Sequence, residues 1–169
     1  RPLLKVNRRT LSIVVPTFRR EHYLPPLFAA VAEQIASVAD PVELVLVDNS
    51  PDASARDIPA PPFVRYIHEP RTGVAQARNR GVAEARGTHI VFLDDDERPA
   101  PGWLQAFAAS TRKGDRATFG AVEPRIETDP PPALLAPLDR IFSRRLPATA
   151  GAAVQSLRAY LGSGNSMFA

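Results

Sequence analysis

Short apolar runs rich in β-branched residues and longer stretches of helical spacing take turns along this chain. "LSIVV" (11–15) stops at Pro16 and "VELVLV" (42–47) stops at Asp48; "FVRYI" (63–67) and "HIVFL" (89–93) repeat the pattern, which predicts four strands. Between the first two, residues 23–38 set Leu24, Leu27, Phe28, Val31 and Ile35 on one helical face. A second helix is predicted over 72–86, a third from "WLQAFAAS" (103–110), and a further strand in "ATFGAV" (117–122). Strands that are apolar along their whole length are covered on both faces. The order therefore predicts an α/β fold with a mostly parallel central sheet and helices on both sides.

Ligands of such sheets sit beyond the carboxyl ends of the strands. Here those ends carry "PTFRR", "DNSPD" and "DDDER", which brings Thr17, Asp48 and the run Asp94, Asp95, Asp96 to one edge. No G-x-G-x-x-G follows the first strand and no G-x-x-x-x-G-K-[ST] occurs, so a bound nucleotide would need another way to neutralise its phosphates. In an extended segment Asp94 and Asp96 point one way and Asp95 the other. Two converging carboxylates repel each other unless a cation lies between them, and hard oxygen donors suit Mg²⁺ or Mn²⁺. Taken alone, the triplet fits equally an acidic, solvated capping turn before "PAPGW".

The second helix adds a cation. At about 100° per residue, Arg78 shares a stripe with Val74, Gly81 and Ala85, flanked by Ala77 and Val82. A guanidinium on an apolar face needs an anion. Arg78 is either an internal ion-pair partner or the residue that holds the acidic edge and shapes a nucleotide pocket. Gly73, Ala75, Ala77 and Gly81 permit close backbone approach.

Composition sharpens this picture. With 169 residues, 44% of them hydrophobic, the chain suffices for one domain with its own core. The 18 prolines gather at 51–62 and 124–137, which read as loops. The absence of cysteine excludes disulfides, thiolate zinc sites and cysteine nucleophiles, so a metal must be held by oxygen or imidazole. His22, His68 and His89 lack the spacing of a helical zinc site and read as surface or strand-edge residues. A net charge of +3 and a pI of about 9.8 favour anionic partners: nucleic acid, a nucleotide or an anionic membrane. No apolar run approaches the roughly 20 residues of a membrane span, and "RPLLKVNRRT" lacks a signal-peptide core. A soluble cytoplasmic domain is expected, with the inner face of the membrane as the alternative address.

Five blocks, "LSIVVPTFRR", "ELVLVDNSPD", "EPRTGVAQARNRGVAEARG", "HIVFLDDDERPAPGWL" and "GSGNSMF", follow one another in an order that resembles family 2 glycosyltransferases of the GT-A fold, from about residue 11 to 168. The resemblance implies a single GT-A-like domain over 1–169, with 11–123 binding the nucleotide-sugar and 124–169 beginning the acceptor side. It implies that Pro16, Thr17 and Arg19 wall a nucleobase pocket and that Asp48 contacts the base. Arg78 matches the arginine of the family's ARN motif near the nucleotide. Asp94 and Asp96 match the ends of its DXD motif, Asp94 and Asp95 lying against the nucleotide and Asp96 with Asp94 holding the metal. Gly164 and Asn165 resemble the acceptor-side strand, and Trp103 reads as a packing residue of the next helix.

The reaction so implied moves a sugar from a nucleotide-diphospho-sugar, a UDP-sugar foremost, to a hydroxyl of a saccharide or lipid-linked saccharide. Inversion, Mn²⁺ or Mg²⁺, and a place in polysaccharide or glycoconjugate biosynthesis come with it; nucleic acid is not an expected partner. The family's catalytic base lies downstream of the block resembling "GSGNSMF" and is expected beyond Ala169, which makes the chain a fragment truncated at its C-terminus. Glu97 abuts the acidic loop, while Glu123, Glu127 and Asp129 lie in or beside a proline-rich loop, and none is a convincing substitute. A non-catalytic nucleotide-sugar-binding module stays open while the base is missing. A nucleotidyltransferase is the other alternative, but its Gly-rich signature is absent from "PTFRR". Finally, residues 133–146 as a helix would align Leu134, Leu138, Ile141 and Phe142, with Arg140 and Arg144 off that face. Pro137 in its middle favours a packing helix over peripheral contact with an anionic membrane.

Overall fold

The computed structural model describes residues 9–123, 131–143 and 164–169. In chain order the elements are β1 (Leu11–Thr17), α1 (Leu24–Ile35), β2 (Val42–Asp48), β3 (Val64–His68), α2 (Val74–Glu84), β4 (His89–Phe92), α3 (Trp103–Lys113), β5 (Ala117–Phe119), α4 (Pro132–Phe142) and β6 (Ser166–Phe168). A 3₁₀ turn, Glu21–Tyr23, leads into α1. Among the described residues, six strands form one sheet in the order β3-β2-β1-β4-β6-β5. The first four strands run parallel, and β6 is antiparallel to both β4 and β5. The expected α/β architecture is present.

Period-2 alternation splits the core between two faces. Leu11, Ile13 and Val15 of β1, Leu44 and Leu46 of β2, Val91 of β4 and Met167 of β6 pack under α1 and α3. Val14, Val45 and Val47 point the other way and meet Ala77 of α2. Helix α2 lies close against that face because Gly81 carries no side chain: a Cβ there would overlap Val14 Cγ1 and sit 3.3 Å from Val47 Cγ2.

Several boundaries differ from the sequence expectation. Pro16 does not end β1, which runs on to Thr17 opposite Asp48. Pairing of β1 with β4 stops at Val14 opposite Phe92, so Pro16 lies where β1 is flanked by β2 alone, a position that tolerates a missing N–H. β5 ends at Phe119, short of the expected Val122, with one more pairing bond from the Gly120 N–H to the Asn165 carbonyl at 2.9 Å. The face of α2 is also rotated from the stripe read off the sequence. Ala77 and Gly81 are buried, whereas Val74 and Val82 are about half exposed, since close approach at the smallest side chains turns the valines outward. α4 spans Pro137, and residues 131–137 are exposed, so its first turns do not pack as a core helix would. Arg144, Glu127 and Asp129 lie outside the described residues.

The strand order reverses beside β1: β2 and β3 build out on one side, and the chain then crosses through α2 to β4 on the other. A crevice at the carboxyl ends of β1 and β4 follows from that topology.

Candidate functional site

A cleft of about 440 Å³ occupies this crevice. The end of β1 supplies Pro16, Thr17, Phe18 and Arg20, and the segment after β4 supplies Asp94, Asp95 and Asp96. The opposite wall is Asn49, Thr72, Gly73 and the first turns of α2 with Val74, Ala77 and Arg78. Of the residues singled out from the sequence, Pro16, Thr17, Arg78 and the three aspartates are brought together here.

The acidic run is a turn rather than an extension of β4. The strand ends at Phe92, and the Glu97 N–H closes back on the Asp94 carbonyl at 3.1 Å. The alternation expected for Asp94, Asp95 and Asp96 therefore does not hold, and Asp95 faces the same cleft as its neighbours. Asp94 Oδ1 takes a hydrogen bond from Arg78 Nη2 at 2.7 Å. Asp95 is buried; its Oδ2 accepts from Thr17 Oγ1 at 2.8 Å and its Oδ1 from Arg20 Nη1 at 3.1 Å. The same Arg20 nitrogen lies 2.8 Å from Asp96 Oδ2. Burial pushes the Asp95 carboxyl above the ordinary carboxylate range, against the lowering by Thr17 and Arg20.

One Arg20 nitrogen thus bridges Asp95 and Asp96, and with Asp94 the turn offers three carboxylates to the cleft. These donors are hard oxygens, the set that Mg²⁺ and Mn²⁺ take. Among the described residues no three His, Cys, Asp or Glu side chains form a metal site by themselves. An ion here would complete its shell with other oxygens, which a diphosphate provides.

Arg78 reaches the acidic turn from α2 with its Nε buried and, among the described residues, without a hydrogen-bond partner. Asn49 shapes the wall between. Its Nδ2 donates to the carbonyls of Glu69 and Arg71, each at 2.8 Å, and its Oδ1 accepts from the Gly73 N–H at 2.7 Å. These bonds fix the loop that delivers Thr72 and Gly73 to the start of α2. Below it, Glu69 is held down to about pH 2 by the Arg71 guanidinium and backbone N–H.

Two expected residues take other positions. Asp48 is wholly buried and does not line the cleft. Alternation along β2 puts it on the same face as Leu44 and Leu46, where Ser50 N–H, Ser50 Oγ, Ala55 N–H and Tyr66 OH donate to it. Burial would raise its carboxyl, yet these bonds hold it below the ordinary value; burial and Asp48 together push the Tyr66 hydroxyl up to about 12. Arg19 adopts a positive φ of 52° and turns out to Asp52 at 3.4 Å, leaving the cleft to Arg20.

On the β6 side, Asn165 Oδ1 accepts from Trp103 Nε1 at 2.7 Å and Nδ2 donates to the Ala121 carbonyl at 2.6 Å. Trp103 also meets Phe107 edge to face, as a packing residue does. Gly164 backs onto the acidic turn: a Cβ there would lie 2.7 Å from Asp94 Oδ2 and 3.1 Å from Glu97 Oε1. Glu97 Oε2 accepts from the Asp94 N–H at 3.2 Å. Sequence reasoning passed over Phe18, Arg20, Asn49 and Thr72. The usable signal was position, since each lies within a few residues of a strand end.

Residues 12–155 match the family described as "Glycosyl transferase family 2". The chain is 30% identical over 119 residues to "Succinoglycan biosynthesis protein ExoM" of Rhizobium meliloti, covering 66% of this chain and 38% of that protein. It is 35% identical over 100 residues to "Uncharacterized glycosyltransferase EpsJ" of Bacillus subtilis, covering 56% and 28%. To the "Undecaprenyl-phosphate 4-deoxy-4-formamido-L-arabinose transferase" of Pseudomonas fluorescens it is 30% identical over 111 residues, covering 62% and 33%. The chain thus spans well under half the length of these relatives. Among solved structures, mannosyl-3-phosphoglycerate synthase from Rubrobacter xylanophilus superposes with a TM-score of 0.55 at 15% identity, covering 64% of this chain and 38% of that one. That likeness concerns the fold, which is of the GT-A type.

Proposed function

Because the chain belongs to glycosyl transferase family 2, we propose that its cleft binds a nucleotide-diphospho-sugar, with UDP as the first nucleotide to test, and serves transfer of the sugar to an acceptor hydroxyl with inversion. The observation that carries this reading is the meeting of Arg78, Arg20 and three aspartates at the topological switch point. Phe18 is 43% exposed on the cleft, an aromatic face suited to a nucleobase. The first turn of α2 opens beside it, and a helix start favours an anion. A diphosphate in the cleft would also meet the Arg78 guanidinium at the wall. Asp94 and Asp96 are the residues proposed to hold a divalent cation, with Thr17 fixing Asp95 between them. Such an ion offsets negative charge on a leaving diphosphate.

The test is thermal stability with UDP, GDP, dTDP and ADP, with and without Mn²⁺, in wild type and in Asp96→Ala. A ligand that binds only the folded state raises the melting temperature. A metal-dependent rise with one nucleotide, lost in Asp96→Ala, is the expected result; no rise with any of the four would overturn the reading.

For the acceptor we propose a lipid-linked saccharide met at a membrane surface, within polysaccharide or glycoconjugate synthesis. Two observations support it: Leu134 and Leu135 of α4 are about half exposed, and one relative is named for an undecaprenyl-phosphate substrate. No helix among the described residues is long and apolar enough to cross a membrane. Flotation with anionic liposomes at low salt tests this, and protein that stays unbound at every lipid concentration removes it.

A further inference from the structure

We infer that Arg20 is a movable counter-ion: it holds the acidic turn in the ligand-free protein, yields Asp96 to a divalent cation, and turns to the diphosphate of the donor. This rests on the proposed nucleotide-sugar site. Arg20 Nη1 stands 3.1 Å from Asp95 Oδ1 and 2.8 Å from Asp96 Oδ2, where two carboxylates would otherwise repel.

The two partners differ in what else holds them. Asp95 is buried and also bound by Thr17, so it keeps its place when Arg20 moves. Asp96 is 47% exposed at its side chain, and among the described residues its ion-pair partner is Arg20. Arg20 itself is 49% exposed on the cleft, with room to reorient, whereas Arg78 is 21% exposed and carried on the packed helix α2. The Arg20 carbonyl accepts from the Tyr23 N–H at 3.0 Å, so the backbone is anchored while the half-exposed side chain has space to reorient once its carboxylate partners are taken. The Tyr23 ring, 5.9 Å from the guanidinium carbon, offers it a face along the way.

Three carboxylates face two guanidiniums in this cleft, which leaves an excess of negative charge. A divalent cation more than neutralises it, and the freed guanidinium then lies next to the only anion being added, the diphosphate. Arginine is suited to that exchange because its planar fork pairs with carboxylate and phosphate oxygens alike.

The experiment measures Mn²⁺ binding by electron paramagnetic resonance without nucleotide, then UDP affinity at saturating Mn²⁺, in wild type, Arg20→Gln and Arg20→Lys. Removing a competing cation should tighten Mn²⁺ binding alone by about three- to tenfold in Arg20→Gln. The same variant should bind UDP with Mn²⁺ about tenfold more weakly, having lost a charge-assisted contact. Arg20→Lys, which keeps the charge, should hold Mn²⁺ as weakly as wild type. A residue that merely braces the turn would move both affinities downward together. Mn²⁺ binding that is unchanged or weaker in Arg20→Gln overturns the counter-ion role, and unchanged UDP affinity overturns the turn toward phosphate. A wild type that binds Mn²⁺ and no nucleoside diphosphate overturns the proposed function instead, with the Mn²⁺ arm still deciding what Arg20 does.

Discussion

Replacing Gly81 by alanine tests whether α2 is seated as closely as the cleft requires. In an exposed helix the change would stabilise the protein by about 1 kcal/mol, since alanine is the better helix former. Here the new methyl group would overlap Val14 Cγ1 and press on Val47 Cγ2 at 3.3 Å, both on buried strands that cannot move aside. Overpacking of this kind costs about 1–3 kcal/mol, and the severe overlap puts the variant at the upper end. The balance is a net loss of about 2 kcal/mol, equivalent to a melting temperature lower by roughly 4–8 °C for a chain of this size. Thermal and urea unfolding of Gly81→Ala, with Ala83→Gly on the exposed side of the same helix as control, measures it. Ala83→Gly should lose about 1 kcal/mol through propensity alone. Because Arg78 lies one turn before Gly81, lifting α2 also draws the guanidinium from Asp94, so nucleotide affinity should fall with stability. A Gly81→Ala protein as stable as wild type would refute the close seating of α2, and with it the geometry of that wall.

Other consequences follow from the polar network. Asp48→Ala leaves the N–H groups of Ser50 and Ala55 and the Tyr66 hydroxyl without their acceptor. It should cost about 3 kcal/mol or more, and a spectrophotometric titration should find Tyr66 ionising below its present value of about 12. On acidification, Glu69 and Asp48, both held below their ordinary values, are protonated more readily in the unfolded chain. Their stabilisation is present above about pH 4.5 and lost progressively as pH falls toward about 2 for Glu69, while Asp95, held high, contributes in the opposite sense. Urea midpoints at pH 6, 4 and 3 should therefore decline less in Glu69→Gln than in wild type. Asn165→Ala removes the acceptor of the chain's single tryptophan, so the emission of Trp103 should shift and stability should drop by about 1–3 kcal/mol; unchanged fluorescence would contradict the Trp103–Asn165 bond.

The strands and their parallel order were legible because Leu11, Ile13, Val14 and Val15 are buried on two faces, and that demand writes an unbroken apolar run. The acidic triplet was legible as a strand-end feature. Its internal geometry was not, because the turn is set by Thr17 and Arg20, more than seventy positions away in sequence. The choice between Arg19 and Arg20 was equally hidden, since a positive φ at an arginine has no composition signal, unlike one at glycine. The rotation of α2 turned on Gly81, whose missing side chain matters only once Val14 is known to lie beneath it. Asn165 reaches Trp103 across sixty-two positions, a pairing that no local pattern encodes.

Asp48 and Asp95 show how electrostatics separates carboxylates that look alike in the sequence. Both stand at or just past the end of a parallel strand, and both are nearly inaccessible. Asp48 is met by donors from its own loop and from β3, and these more than offset its burial, so its carboxyl lies low. Such a group is satisfied by the protein itself, and it holds residues 50 and 55 in place. Asp95 has Thr17 and a shared arginine nitrogen, too little to offset burial beside Asp96, so its carboxyl lies high. The acidic turn after β4 lines the cleft and the aspartate at the end of β2 does not, so Asp96→Ala should disturb cation binding while leaving the loop held by Asp48 unchanged.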